Sequence, residues 1–260
     1  MKIAVCVKEV PDQGPSRRMD PGSLRMDRSG DKSLNEYDRN AVEAALSIKE
    51  AAGDGEVVLI SMGPEKALDS MRKALAMGAD RAVLVADDAA TGSDLVATSN
   101  VLAAALERES ADLVLFGQQA SDGEGAVLWA SIAEKLKMPV VSQVSEMDLN
   151  GSTVSAKRQT ENGYDRIEAP LPVVVAVADS LNEPRYPSLK GIMAAKKKPQ
   201  ETLSLSDLGV DASAAGEAGS RTTVSALGEP PSRGETMMIE DEGGDSAEKI
   251  LEFLVERKFA

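Results

Sequence analysis

The sequence predicts an α/β protein: a doubly wound, mostly parallel sheet with a small antiparallel hairpin insertion and an extended C-terminal arm. Short aliphatic runs alternate with helical patterns from Ile3 to Val177, the rhythm of a parallel sheet wrapped by helices. Runs such as Val173–Val177 are apolar at every position rather than every second one, as expected of strands covered on both faces. Glycine or proline punctuates most junctions.

Ile3–Val7 reads as the first strand, followed by a polar stretch from Pro11 to Ser33 that is too long for an ordinary connector and marks a functional loop. Asp38–Ala52 is helical, with Val42, Ala45 and Leu46 on one face and Gly53 as its stop. Val57–Ser61 is a strand, and Gly63-Pro64 opens a helix with proline at its first position. Its apolar face is Leu68, Met71, Ala74 and Leu75, and Gly78 ends it. Ala82–Val85 is the next strand; Ser93/Asp94 cap a helix carrying Leu95, Ser99, Leu102 and Leu106. Leu113–Phe116 is a strand, residues 117–125 a loop, and Ala126–Leu136 a helix. Asn150-Gly151 and Asn162-Gly163 are hairpin signals that divide Val144–Glu168 into three antiparallel strands ahead of the Val173–Val177 strand.

After Lys198 the sequence turns to Ser, Gly, Ala and Asp with little periodicity beyond a turn near Leu203–Leu208. We therefore divide the chain into an α/β domain over residues 1–199 and an arm over residues 200–260. The arm ends in a helix with an apolar stripe of Ala247, Ile250, Leu251 and Leu254 and a capping box of Asp245 and Glu248. Such a helix needs a surface, either this domain's own sheet or a partner subunit.

Composition narrows the chemistry. The net charge of −14 over 260 residues argues against nucleic acid, which demands clustered cations. The absence of histidine removes the commonest general base and metal ligand. A single cysteine, Cys6, excludes disulfide frameworks and Cys-rich metal sites within the chain; in its apolar strand pattern it reads as a buried, inert thiol. No apolar run approaches the ~20 residues of a membrane span. The N-terminus lacks the layout of a signal or transit peptide, so a cytoplasmic location is expected.

Two segments carry candidate sites. In a doubly wound sheet, ligands bind beyond the carboxyl ends of the strands, where strand order switches; the loops after Val7, Ser61, Val85 and Phe116 are the candidates. Residues 117–125, Gly-Gln-Gln-Ala-Ser-Asp-Gly-Glu-Gly, run into a helix, where free amides favour anions and glycine admits a phosphate. The segment matches neither a dinucleotide fingerprint nor a P-loop. Asp122 and Glu124 argue for an ordinary turn unless their charge is directed elsewhere. The second segment, Asn182 to Met193, puts Tyr186, Leu189, Ile192 and Met193 beside Arg185 and Lys190. This is either a protein-binding patch or a loop that folds back and buries these residues.

Four segments together resemble the electron-transfer flavoprotein beta (small) subunit family: residues 4–12 (AVCVKEVPD), 34–38 with 41–46, 61–64 with 72–81 and, most specifically, 181–198 (LNEPRYPSLKGIMAAKKK). The resemblance implies an adenine-nucleotide-binding α/β fold and an electron carrier rather than a self-sufficient enzyme. It implies a heterodimer with an alpha subunit that holds most of the FAD, and a C-terminal arm reaching onto alpha. Electrons would come from flavin-dependent dehydrogenases and pass toward a quinone-linked oxidoreductase. This subunit would hold a structural AMP or, in the bifurcating branch, a second FAD. By matching position, nucleotide contacts would come from Cys6, Asn35, Met62 and the loop from Ala120 to Ser131. Where many members carry a Thr-Gly pair this chain has Leu128-Trp129, so beside Asp122, Leu128 and Ser131 the donors would be the amides of Gly123, Gly125, Ala126 and Val127. Arg185, Tyr186, Leu189, Ile192 and Met193 would meet the dehydrogenase, with Leu189 as the anchor. A stand-alone ATP-cleaving ligase of the same fold would need a Ser-Gly-Gly-type loop near the first strand, where this chain reads Lys8-Glu9-Val10-Pro11-Asp12.

Overall fold

The computed structural model describes residues 1–12, 18–228, 231, 238–241 and 243–259. The chain enters as β1 (Lys2–Cys6) and makes four short strands, β2 (Glu9–Pro11), β3 (Met19–Asp20), β4 (Arg25–Met26) and β5 (Lys32–Leu34), before helix α1 (Glu36–Ala52). Alternation follows: β6 (Glu56–Met62), α2 (Leu68–Met77), β7 (Arg81–Val85), α3 (Leu95–Glu109), β8 (Leu113–Gly117) and α4 (Leu128–Leu136). Three long strands, β9 (Val140–Asn150), β10 (Thr153–Thr160) and β11 (Gly163–Pro170), precede β12 (Val173–Val177). Helix α5 (Leu189–Ala195), strand β13 (Gln200–Leu203) and the short α6 (Gly216–Gly219) complete the unit Met1–Ser225. The second unit, Ala226–Ala260, contains α7 (Ser246–Glu256).

Nine strands form one sheet in the order β11-β10-β9-β12-β8-β1-β6-β7-β13. All neighbours from β9 to β13 run parallel, and β9, β10 and β11 run antiparallel to one another. The expected architecture, an antiparallel edge on a parallel core, is what forms. The continuous apolar runs have a simple cause. Ile3, Val5, Val57, Leu59, Val173 and Val175 face one core with Val42, Leu46, Met71 and Leu75 of α1 and α2. Ala4, Cys6, Val58, Ile60, Val174 and Ala176 face the other, with Leu102, Leu106 and Ile132 of α3 and α4. Each strand is thus covered twice.

Helix ends follow their sequence signals with exceptions. Asp94 accepts the Ala97 amide at 3.0 Å and caps α3, while Gly53 closes α1 with φ 72°. Pro64 precedes a single 3₁₀ turn over Glu65–Ala67, and α2 proper starts at Leu68. α4 starts at Leu128 rather than Ala126, because Ala126 is left-handed at φ 46° and cannot join the first turn. The capping box expected at Asp245 does not form: Asp245 makes no cap bond and pairs with Lys249 at 2.8 Å one turn on.

The hairpin turns sit one residue away from their signals. Asn150 pairs with Thr153 and Thr160 with Gly163, leaving Gly151-Ser152 and Glu161-Asn162 as the two-residue loops. The long polar stretch is not featureless: β2 pairs with β5 and β3 with β4, while residues 13–17 lie outside the described part. The arm begins as sheet. β13 pairs parallel with β7, Gln200 opposite Ala82 through Leu203 opposite Val85, and Leu203 and Leu205 are core residues. Only its second half, from Ala226, forms a unit of its own. Among the described residues no helix is long and apolar enough to cross a membrane.

Candidate functional site: a crevice and an exposed apolar platform

Strand order reverses at β1. The chain steps outward from β1 to β6 and β7, then returns to place β8 on the other side of β1. The carboxyl ends of β1 and β8 therefore border the crevice in which this architecture binds ligands. The sequence concentrates polar residues there. Asn35, buried at the start of α1, does not cap its helix. Its amide instead donates to the Gln119 carbonyl at 2.8 Å and accepts the Ser121 amide at 3.1 Å, stitching the α1 start to the Gly117–Gly125 loop. Gly117 serves packing: a Cβ there would lie 2.5 Å from the Tyr37 carbonyl carbon and 2.6 Å from Asp38 Oδ1.

Asp122, the expected electrostatic objection to an anion in this loop, is neutralised. Its side chain is 1 % exposed, pairs with Lys8 Nζ at 2.8 Å, and is met from the long loop by Arg28. Burial pushes its carboxyl up, but Lys8 and Arg28 outweigh that and hold it below the usual range. Gly123 and Gly125 are exposed, neither has a positive φ, and a Cβ on either meets nothing within 4 Å. Local folding therefore does not demand glycine at these two positions, whereas a ligand seated against bare backbone does. Glu124 and Ala126 adopt left-handed φ of 47° and 46°, backbone states that cost non-glycine residues on the order of 1–3 kcal/mol and cluster at functional loops. The first amides of α4 have no intrahelical acceptor by construction, and Val127 and Leu128 begin that turn. Trp129 braces the loop by donating from Nε1 to the Gln118 carbonyl at 3.1 Å.

Of the other expected contacts, Cys6 is buried at the end of β1, where burial pushes its thiol well up, with Asp38 adding to the shift. Met62 lies half-buried at the end of β6. Ala120 is half-buried within the loop. Ser131 turns its hydroxyl to Ser99 Oγ at 2.9 Å, one turn into α4. The loop is thus brought beside Asn35 and Lys8 by direct bonds. Sequence reading missed Lys8, Arg28 and Asp38. Burial raises the Asp38 carboxyl to about 7, against opposing bonds from Asn35, the Lys8 amide and the Gly117 amide. The spacing Asn35-x-x-Asp38 at a helix start was the available signal, but it looks like ordinary capping.

The second segment lies elsewhere on the same unit, and it is not buried. Tyr186 is 92 %, Leu189 83 %, Met193 73 % and Ile192 47 % exposed. Ser188 caps α5 through the Gly191 amide at 3.0 Å, so Leu189, Ile192 and Met193 share one helix face at i, i+3 and i+4. Arg185 turns back onto α1, with its guanidinium on Glu43 and Glu50. In a chain with 43 acidic residues, the flanking Lys190, Lys196 and Lys197 are exposed and give the platform a cationic rim.

The electron transfer flavoprotein domain model matches residues 23–208. A chain of Mycobacterium tuberculosis (strain ATCC 25618 / H37Rv) named electron transfer flavoprotein subunit beta is 40 % identical over 264 residues, covering 98 % of each chain. The subunit of that name from Megasphaera elsdenii is 36 % identical over 99 % of each. A third relative, the caffeyl-CoA reductase–Etf complex subunit CarD of Acetobacterium woodii, is 42 % identical over 92 % of each. Match to the domain model over most of the sheet, and near full-length similarity to relatives from three organisms, place this chain in the electron transfer flavoprotein family among its beta subunits.

Proposed function

We propose that this chain is the beta half of a heterodimeric electron carrier that takes electrons from flavin dehydrogenases and delivers them toward a quinone-linked acceptor, with an AMP held in the β1/β8 crevice. The observation that carries the docking half is the platform around Leu189, whose apolar residues are displayed rather than packed. Displayed apolar groups of this kind suit a partner that binds and releases.

The residues of the crevice fit an adenine nucleotide. Bare backbone at Gly125, the helix-start amides of Val127 and Leu128, and the neutralised Asp122 would form a phosphate seat, while the expected Gly123 amide already donates to the Ala120 carbonyl at 3.3 Å. Cys6, Asn35, Met62, Ala120 and Ser131 border the seat. FAD, held mainly by an alpha subunit, supplies the redox chemistry when bound. This chain's part is to fix the nucleotide, to dock, and to hold alpha through its C-terminal unit in the cytoplasm.

A second reading places a second FAD in the crevice, as in bifurcating members. The similarity to a subunit of a caffeyl-CoA reductase–Etf complex favours it. Co-expression with the alpha subunit, followed by a chromatographic count of released nucleotides, separates the two. One FAD and one AMP per heterodimer supports the carrier, and two FAD with no AMP supports the second reading. A heterodimer with no nucleotide beyond one FAD refutes the crevice assignment.

A further inference from the structure

We propose that Arg185 is the positioning residue of the docking platform, clamping it to α1 so that Leu189 and Met193 face the partner in a fixed pose. The inference rests on the docking reading above.

Arg185 donates from Nε to Glu43 Oε2 at 2.8 Å and from Nη2 to Glu43 Oε1 at 2.8 Å. It also donates from Nη1 to Glu50 Oε1 at 2.5 Å and from Nη2 to Glu50 Oε2 at 3.0 Å. Four of the five N–H groups of a guanidinium are therefore spent within the chain, and the Arg185 backbone amide adds a bond to Glu43 Oε2 at 3.0 Å. Glu43 and Glu50 lie two turns apart on one face of α1, and only a planar fork spans two carboxylates in this way; an ammonium does not.

The clamp is one of several ties on a short segment. Just before it, Asn40 Nδ2 donates to the Asn182 carbonyl at 2.8 Å and Asn182 Nδ2 returns a bond to the Asn40 carbonyl at 3.0 Å. After it, α5 sits so close to α2 that a Cβ on Gly191 would lie 2.3 Å from the Ala76 carbonyl oxygen. Lys198 Nζ then closes the segment onto the Leu75 and Ala79 carbonyls at 2.9 and 2.6 Å. Between these ties the large apolar side chains point outward. A seven-residue helix has little stability alone, so its pose is set by its anchors. Arg185 is the anchor nearest Leu189 that is made of charge, and four of its own donors already face inward. Its effect on docking is therefore exerted through Leu189.

The test uses the assembled heterodimer and a flavin dehydrogenase selected for reducing the wild type. Arg185→Gln and the double variant Glu43→Gln/Glu50→Gln should each raise KM for the heterodimer about five- to tenfold, with kcat within about twofold. Amide exchange over residues 186–195 should quicken in both, while exchange in the sheet is unchanged. In a Leu189→Ala background, Arg185→Gln should add less than about twofold, since coupled residues are not additive. Should Arg185→Gln fail to assemble, Arg185→Lys, which keeps the charge but not the fork, should show a smaller rise of the same kind.

An unchanged KM in Arg185→Gln overturns the proposal. So does a rise in Arg185→Gln that the Glu43/Glu50 double variant does not reproduce, for that pattern means Arg185 touches the partner itself. If Leu189→Ala leaves KM unchanged, the docking reading fails instead, and the exchange data still report on the clamp.

Discussion

Asp38 stands three residues into α1 with its carboxyl buried and raised to about 7, while two backbone amides and the Asn35 amide favour its charged form. Because the folded value lies above the ordinary 3.8, the folded chain binds this proton more tightly than the unfolded one. Its stabilising contribution is complete below pH ~4 and is lost as pH climbs toward 7. Asp38→Asn should remove that slope. Relative to the variant, wild type should lose roughly 2–4 kcal/mol between pH 4 and pH 7.5, read from denaturant melts at several pH values. A wild-type-minus-variant difference that stays flat with pH would show that Asp38 is ionised throughout. The glycines of the neighbouring loop make a contrasting case. A Cβ at Gly125 meets nothing within 4 Å, so Gly125→Asp should leave stability within about 0.5 kcal/mol, as for surface changes. If the crevice holds the proposed phosphate-bearing nucleotide, the added charge should empty it, assayed by release and chromatography. Full nucleotide content in that variant would remove the loop from the site. Asp38 was invisible in the sequence because an acid in the first turn of a helix is ordinary; its burial comes from the close passage of Gly117 and from the Lys8 amide that meets its carboxyl at 2.7 Å.

At the scale of elements, what could be read in advance followed hydrophobic periodicity. β1, β6, β8 and β12 were evident because strands covered on both faces leave uninterrupted Val, Ile and Leu runs. β13 was not: Gln200-Glu201-Thr202-Leu203 offers one buried apolar side chain and looks polar, and only pairing with β7 makes it a strand. The start of α4 and the failed Asp245 cap were missed because backbone sign and side-chain direction are not written in residue type. The segment around Leu189 was recognisable from resemblance, yet its exposure needed the structure. That exposure fixes a prediction. An exposed Leu189 contributes little to folding, so Leu189→Ala should change unfolding free energy by less than about 0.5 kcal/mol. As a docking anchor it should lose about 1–2 kcal/mol of burial on the partner, roughly a five- to thirtyfold weaker complex. Faster dissociation should dominate. Thermal melts and dehydrogenase-dependent flavin reduction on one preparation test both halves, and an unimpaired transfer rate with weakened stability would reverse the assignment.

The whole chain divides where its sequence alone does not announce it. Composition changes after Lys198, yet the unit that begins at Met1 continues to Ser225, because the chain still has a sheet edge and an α3 face to cover. β13 protects β7, Leu205 and Ala215 enter the second core, and Arg108 pairs with Glu201 at 2.6 Å. Farther along, Asp94 of the α3 cap takes the Arg221 and Thr222 amides at 2.6 and 2.9 Å. Burial pushes the Asp94 carboxyl up, but these amides, the Ala97 amide and the Thr222 hydroxyl hold it down to about 2. Truncations at two places should therefore behave differently. Removing residues 200–260 uncovers β7 and opens the second core, and losing two buried leucines alone costs about 4–10 kcal/mol by the usual range for core leucines, enough to unfold a typical domain. Removing residues 226–260 leaves all of these contacts in place, so the melting temperature of the remaining chain should stay within about 4 °C of the full-length subunit. The second truncation should nonetheless abolish assembly. Helix α7 has no buried residue, and Ile250, Leu251 and Val255 are exposed along it; an isolated helix of that length is marginal in water, and under the proposed function its surface is the alpha subunit. Size-exclusion chromatography of the co-expressed subunits together with a melt of each truncated chain decides the matter. Coelution of the residues 1–225 chain with alpha at wild-type yield would refute the role of the C-terminal unit, and a folded residues 1–199 chain would refute the structural role of β13.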